Sequence, residues 1–345
     1  MKSKIRVGLI GLGRLGSAYA RDIATRIPEM CLMAVGDTAA GRADRVAAEF
    51  NVPHRTLDAF ELIENQDVEA VVIATPTQSH HAIAVAALKA GKPTFCEKPP
   101  ALILSEAEAM RSVAAQSGTL LQIGFMRRFD TGYAAAKRQI DDGVIGDPVM
   151  FKSCSRDPAP PSLEYANPRS SGGTIVDMGI HDFDLARWLI GEVESVHSIG
   201  GALVCPEFRS VGDIDTAIVS MSFTGGRVGV VDLSRSSGYG YDIRTEILGT
   251  RGSVQVGYLR ETPLLVLTRN SVSHDTIPHF PERFAEAYTR QLQNFAVNVA
   301  TGKASAITID DGIAALKIGL AAVRSYTNGQ PVAVADVDAT EIAAS

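Results

Sequence analysis

No CxxC pair occurs in this 345-residue chain, and its four cysteines, Cys31, Cys96, Cys154 and Cys205, stand far apart. Three of them lie inside apolar runs, as buried thiols in a reducing compartment do, which points to the cytoplasm. No apolar run approaches the ~20 residues needed to span a bilayer, so no membrane partner is expected. The N-terminus, Met1-Lys2-Ser3-Lys4, enters the first strand at once, so no signal peptide is expected. There is no basic stripe and no interleaving of basic and aromatic residues: 33 Lys and Arg are dispersed among 39 Asp and Glu, for a net charge of -6. That balance excludes nucleic acid as the expected partner. Internal repeats and low-complexity linkers are also absent. At this length the chain has room for two domains, each with a substantial core.

What is present begins with glycine. The apolar run Ile5–Ile10 leads into Gly11-Leu12-Gly13-Arg14-Leu15-Gly16, a GxGxxG turn ahead of an amphipathic stretch. In such a turn the first glycine permits the tight bend, the second lets the backbone approach a pyrophosphate, and the third lets helix and sheet pack closely. The amides at the helix start then face the phosphate charge. A second apolar run, Met30–Val35, ends in Gly36-Asp37, at the roughly 20-residue spacing where a carboxylate accepts hydrogen bonds from the adenosine ribose. Asp37 would repel the 2′-phosphate of NADP. Thr38 stands where an arginine would favour that phosphate, with Arg42 further along. NAD is therefore the expected cofactor; the plainer reading of Asp37 is a cap on the next helix.

Strand-like and helix-like segments alternate to about residue 124. Strands are expected at Ile5–Ile10, Met30–Val35, Val68–Thr75, Pro93–Cys96 and Leu120–Ile123. Helices are expected at Leu15–Ile27, Ala39–Phe50, Gln78–Ala90 and from a capping box at Ser105-Glu106-Ala107-Glu108 to Ser117. This rhythm predicts an α/β Rossmann domain with a parallel sheet over 1–124. After Gly124 the rhythm changes. Helices over about 131–142 and 174–190 precede strand-like runs at 195–204, 214–223, 227–235, 241–248 and 252–257, with Gly225-Gly226 as a hairpin turn. Helices return at 283–300 and 309–327. The second domain, 125–345, is thus expected to be α+β with a mainly antiparallel sheet and a mobile tail from about 335.

Three segments carry chemistry-bearing residues. Thr75-Pro76 closes a strand and leads to His80, which either meets the nicotinamide end of the cofactor or is a surface histidine. Glu97-Lys98-Pro99-Pro100 puts two charges at a strand's carboxyl end with prolines fixing the backbone. Lys98 is read as functional, against a surface salt bridge with Glu97. Gly172-Gly173 opens a helix on which Asp177, His181 and Asp184 fall on one stripe, continued by Trp188. A carboxylate one turn from a histidine equips it as a general acid–base; a solvated polar face is the plainer reading. Asp177, His181 and a cysteine are also the set that zinc would take, but no second histidine or cysteine lies at ligand spacing, so no metal is expected.

In this order, the glycine turn, Thr75-Pro76 with His80, Glu97-Lys98-Pro99, and Asp177 four residues before His181 resemble the Gfo/Idh/MocA family of sugar and polyol oxidoreductases. Gly124-Phe125-Met126-Arg127-Arg128-Phe129-Asp130 and Tyr239-Gly240-Tyr241-Asp242 are most similar to its inositol 2-dehydrogenase branch. The resemblance implies an open-faced sheet in the second domain and a homo-oligomer, commonly a tetramer. It implies Lys98, Asp177 and His181 as catalytic groups, and a cis Lys98–Pro99 bond. It implies Glu97 beside the cofactor, and Arg127, Asp184 and Tyr239 at the substrate. The implied reaction is NAD-dependent oxidation of a ring hydroxyl of a cyclic polyol, myo- or scyllo-inositol first. An aldose 1-dehydrogenase and a non-catalytic NAD-sensing protein are the alternatives. The chain departs from the branch at Cys154-Ser155-Arg156-Asp157-Pro158, where Ser155 and Asp157 alter the hydrogen-bonding groups expected near the substrate.

Overall fold

The computed structural model describes residues 4–342. They divide into two compact units: residues up to Met126 together with Glu286–Ala314, and Arg127–Ala285 together with the chain from Ala315. The sequence places 286–314 in a continuous second domain, whereas their contacts are with the first unit.

In the first unit the order is β1 (Ile5–Ile10), α1 (Arg14–Thr25), β2 (Met30–Gly36), α2 (Ala40–Phe50), β3 (His54–Thr56), α3 (Ala59–Glu64), β4 (Ala70–Ile73), α4 (His80–Lys89), β5 (Thr94–Glu97), α5 (Leu104–Ser117) and β6 (Leu121–Gly124). The strands form one parallel sheet in the order β3-β2-β1-β4-β5-β6, the Rossmann arrangement. Its centre is apolar on both faces: Ala70, Val71, Val72 and Ile73 of β4 are wholly buried, as parallel strands between helix layers must be. β3 and α3 are too short for pattern reading to find. The expected capping box at Ser105 is not used, because α5 starts a residue earlier with Ile103 as its N-cap.

The second unit runs α6 (Thr131–Asp141), β7 (Pro148–Arg156), α7 (Leu163–Ala166), α8 (Pro168–Ser171), α9 (Gly173–Asp177), α10 (Ile180–Leu189), β8 (Val193–Gly201), β9 (Thr216–Phe223), β10 (Val228–Ser234), β11 (Asp242–Gly249), β12 (Ser253–Val256), β13 (Val266–Leu267) and β14 (Val272–Ser273). The chain goes on through α11 (Phe280–Thr301), which from Glu286 belongs to the first unit, and α12 (Ile309–Asn328), which from Ala315 belongs to the second, to β15 (Val332–Ala333). The large sheet has the order β12-β11-β7-β10-β9-β8-β15. All its pairings are antiparallel except β7 with β10. Gly225 and Gly226, both at positive φ, make the β9–β10 turn.

Side chains alternate across this sheet. Ala217, Val219, Met221 and Phe223 of β9 are buried, while Ile218 is 45% exposed. One face is therefore covered and the other open. The tail is ordered further than expected: β15 pairs with β8, and Val337 is buried.

Candidate active site

The glycine turn is built to leave room above one residue. Gly11 has φ +90, and a Cβ there would stand 2.6 Å from backbone atoms of Ala74 and Thr75. A Cβ on Gly16 would lie 1.8 Å from the Gly11 carbonyl oxygen. A Cβ on Gly13 would meet nothing within 4 Å. The space over Gly13 is thus open for a ligand, whereas Gly11 and Gly16 serve internal packing. Gly13 caps α1 without a side-chain bond, and the first turn of α1 holds no acidic residue. The positive helix end therefore has no carboxylate of its own to offset it, as pyrophosphate binding requires. Arg14 and Leu15 open that turn, exposed and half-buried.

Asp37 lies at the end of β2, next to the turn. Its Oδ2 accepts from the buried Leu12 amide at 2.7 Å, and Oδ1 accepts from the Ala39 amide at 2.8 Å. The Arg42 guanidinium is 3.7 Å from Oδ1, and Thr38 is exposed. Asp37 thus holds the entry to α2, as the plainer reading has it, and also fixes the glycine turn. These residues fit a dinucleotide with an unphosphorylated adenosine ribose.

His80 is not the surface histidine that the sequence also allowed. Its Nδ1 lies 2.7 Å from the Pro99 carbonyl oxygen and its Nε2 2.9 Å from that of Thr75, with the ring 1% exposed. Burial lowers its pKa, partly offset by the two carbonyls. The ring ties the exposed Thr75-Pro76 loop to the segment after Lys98. Ser79 Oγ also donates to Thr75 Oγ1 at 2.8 Å.

Glu97 closes β5 pointing inward. Its carboxylate accepts from the Tyr19 hydroxyl, from Gln291 Nε2 at 3.4 Å and from the Lys98 amide at 3.2 Å. Burial pushes it up to about 7 despite these donors. Glu97 thus has an internal role beneath the turn that carries Lys98. Lys98 itself is half-buried, and the Lys98–Pro99 bond is cis.

In the second unit, Asp177 ends α9 and His181 lies in the first turn of α10. Met178 and Gly179 between them keep right-handed helical torsions, so the one-turn spacing survives the break. Gly179 is needed there: a Cβ would stand 2.4 Å from the Ile175 carbonyl oxygen. Both functional side chains are buried. Asp177 Oδ2 accepts from Arg235 Nη2 at 2.7 Å, and both its oxygens lie 3.2 Å from the Tyr165 hydroxyl. Asp177's charge and burial push the Tyr165 phenol well up, so it is a donor and not a base. Arg235 Nη1 also donates to Asp157 Oδ2 at 3.2 Å. Asp157 and Asp177 are thus brought together by Arg235. Neither Arg235 nor Tyr165 carries a sequence signal that singles it out; only the fold reveals them.

Three residues expected at the substrate have partners within their own unit. Arg127 is 3% exposed and donates to Asp182 Oδ1 at 2.7 Å and Ser155 Oγ at 3.1 Å. Ser155 in turn donates to Asp182 Oδ2 at 2.7 Å. The Ser155 departure therefore serves an internal ion pair. Asp184 is gripped by Arg128 through Nε at 2.9 Å and Nη2 at 2.5 Å, with Arg128 above the Trp188 ring. The arginine pair 127–128 thereby fastens the segment before α6 to α10. Tyr239 lies on the open face of the sheet, donating to Asp242 Oδ2 at 2.7 Å and accepting from Arg156 at 3.0 Å. Ser153 and Ser155 of β7 point to the covered face, opposite Arg156, so Tyr239 belongs to the other surface.

The family description "Oxidoreductase family, NAD-binding Rossmann fold" matches residues 5–125, and "Oxidoreductase family, C-terminal alpha/beta domain" matches 137–334. The chain belongs to the Gfo/Idh/MocA oxidoreductase family. It is 41% identical over 333 residues to scyllo-inositol 2-dehydrogenase (NAD(+)) of Bacillus subtilis, covering 96% of this chain and 97% of that one. It is 38% identical to Myo-inositol 2-dehydrogenase of Thermotoga maritima, over 96% and 99%. Among solved structures it is similar to scyllo-inositol dehydrogenase from Lactobacillus casei with bound NAD(H) and scyllo-inositol. That match has a TM-score of 0.92 and 32% identity, covering 97% of this chain and 100% of that one.

Proposed function

We propose that this protein is an NAD-dependent dehydrogenase that oxidises one ring hydroxyl of a cyclic polyol to the ketone, with scyllo- or myo-inositol as first substrates. The observation that carries this reading is the polar centre around Asp177. It offers carboxylates held for hydroxyl donors, in a chain similar over nearly its whole length to inositol 2-dehydrogenases. Bound NAD supplies the hydride acceptor. His181 takes the hydroxyl proton as general base. Lys98 donates to the same oxygen and stabilises the alkoxide as it forms. Asp177, fixed by Arg235, orients His181 or a neighbouring hydroxyl.

A reductase for a hydroxy acid would want an uncommitted basic pair for the carboxylate. Arg127 and Arg128 are instead each matched to a buried aspartate, which favours a neutral substrate. An aldose 1-dehydrogenase is the second reading, favoured by the aspartate at 157. We further place the protein in the cytoplasm as a homotetramer. All four cysteines are unpaired, no helix among the described residues is long and apolar enough to cross a membrane, and the open sheet face exposes apolar side chains.

The test is NADH formation with inositol isomers, aldoses, linear alditols and 2-hydroxy acids, run with wild type and Lys98→Met. Cyclic polyols should lead by at least about tenfold in kcat/KM. The variant, which keeps side-chain length and deletes the ammonium, should lose about 10²–10³ in kcat while still binding NAD. A hydroxy acid or alditol in the lead overturns the polyol reading; an active Lys98→Met makes that lysine structural.

A further inference from the structure

Arg235 sits just past the end of β10 and is 4% exposed. Its guanidinium spends Nη2 on Asp177 at 2.7 Å, Nη1 on Asp157 at 3.2 Å and Nε on Thr174 Oγ1 at 3.4 Å. Thr174 in turn donates to Asp213 Oδ2 at 3.1 Å, and the Arg235 amide donates to the Asp215 carbonyl oxygen at 2.8 Å. Each nitrogen of the cation is thereby engaged, by two separate stretches of chain. The two carboxylates differ in access: the side chain of Asp177 is 7% exposed and that of Asp157 17%. One cation faces two carboxylates, so the cluster retains negative charge. A group of that sign attracts hydroxyl donors and repels acids.

We infer that Arg235 is a positioning residue that holds Asp157 and Asp177 as two fixed hydroxyl acceptors for one neutral, multiply hydroxylated ring. This rests on the proposed function and adds to it the origin of the preference for an uncharged substrate. One rigid planar guanidinium sets the spacing of the two carboxylates, because its donors lie in a fixed fork. Asp157 then becomes the substrate-facing member, since it is the more exposed. Its charge is accommodated because Arg235 neutralises part of it. Arg235 after β10 and Tyr165 of α7 contact Asp177 directly, Asp157 after β7 and Asp213 before β9 interact with the same arginine, and His181 lies one helical turn beyond Asp177 in the chain.

The test compares wild type, Arg235→Lys, Arg235→Gln and the double variant Arg235→Gln with Asp157→Asn. KM for the polyol, KM for NAD, kcat and the pH profile of kcat/KM are measured, with Tm alongside. Arg235→Gln should raise the polyol KM tenfold or more and move the acidic limb of the profile, leaving the NAD KM unchanged. Arg235→Lys should be intermediate, since a lysine keeps the charge and loses the fork. The double variant should recover part of the KM, because the uncompensated second carboxylate is gone. Lowered Tm with wild-type KM and pH profile would make Arg235 merely structural and overturn the inference. If Arg235→Gln does not fold, Arg235→Lys decides alone: an unchanged polyol KM overturns the inference, a raised one supports it. A wild type silent on every polyol would instead overturn the proposed function, and the inference with it.

Discussion

Individual residues here carry more than one duty, and charge shows it best. Asp37 anchors the glycine turn through Leu12 while standing 3.7 Å from Arg42. Asp37→Ala should narrow the NAD over NADP preference by about tenfold or more, since it removes a charged acceptor from the ribose and releases Arg42 toward a 2′-phosphate. Comparing kcat/KM for the two cofactors measures it, and an unchanged ratio would remove Asp37 from cofactor choice. Glu97 carries a different cost. Its pKa is raised to about 7 by burial, so the folded state holds a proton that the unfolded state gives up at ordinary carboxylate pH. Stability from this group is full below about pH 4.5 and is lost as pH rises toward 7, on the order of 3 kcal/mol. Glu97→Gln should flatten that part of the Tm-against-pH curve. A slope equal to wild type would place the titration elsewhere.

At the scale of elements, the three glycines of the first turn are separable. Gly16→Ala forces a Cβ onto the Gly11 carbonyl oxygen and should cost about 3 kcal/mol of stability. Gly13→Ala meets nothing in the protein and should fold with wild-type Tm, yet bind NAD poorly. Thermal melts with and without NAD distinguish the two; normal NAD binding by Gly13→Ala would show that the open space over the turn is not where the pyrophosphate lies. The turn, the parallel strands and the Asp177–His181 spacing were legible in sequence because each has a local signature: glycine spacing, continuous apolar runs, helical periodicity. β7 was not legible. Its covered-face positions include Ser153 and Ser155, which serve Asp182 and Arg127, so the apolar alternation that marks a strand is broken by the residues that matter. Arg235 and Tyr165 were invisible for a related reason: Arg235 lies 58 residues from Asp177 and Tyr165 lies 12, neither at a helical spacing, and only tertiary pairing makes them a cluster. Arg127, Asp184 and Tyr239 were assigned by resemblance to the substrate, and the packing of their own unit occupies them.

For the whole molecule, the open face of the large sheet is the feature that calls for a partner. Ile199, Ile218, Val228 and Leu248 are all more than a third exposed on its strands. An apolar face of this kind is normally covered in the assembled protein. Sedimentation equilibrium should give four times the 36.6 kDa chain mass, and Ile218→Lys should shift it toward smaller species. A wild-type monomer at micromolar concentration would refute the assembly. The two-unit division has a bearing on how the chain is made. Residues 286–314 complete the first unit: Gln291 donates to Tyr19, Thr289 to Asp22, and Asn298 to Gln122. A ribosome releases those partners only after every strand of the large sheet but β15 has been synthesised. The half of the protein that is written first therefore stays incomplete until the 127–285 stretch of the other unit has been made, with the buried polar groups of Tyr19, Asp22 and Gln122 unmatched during elongation.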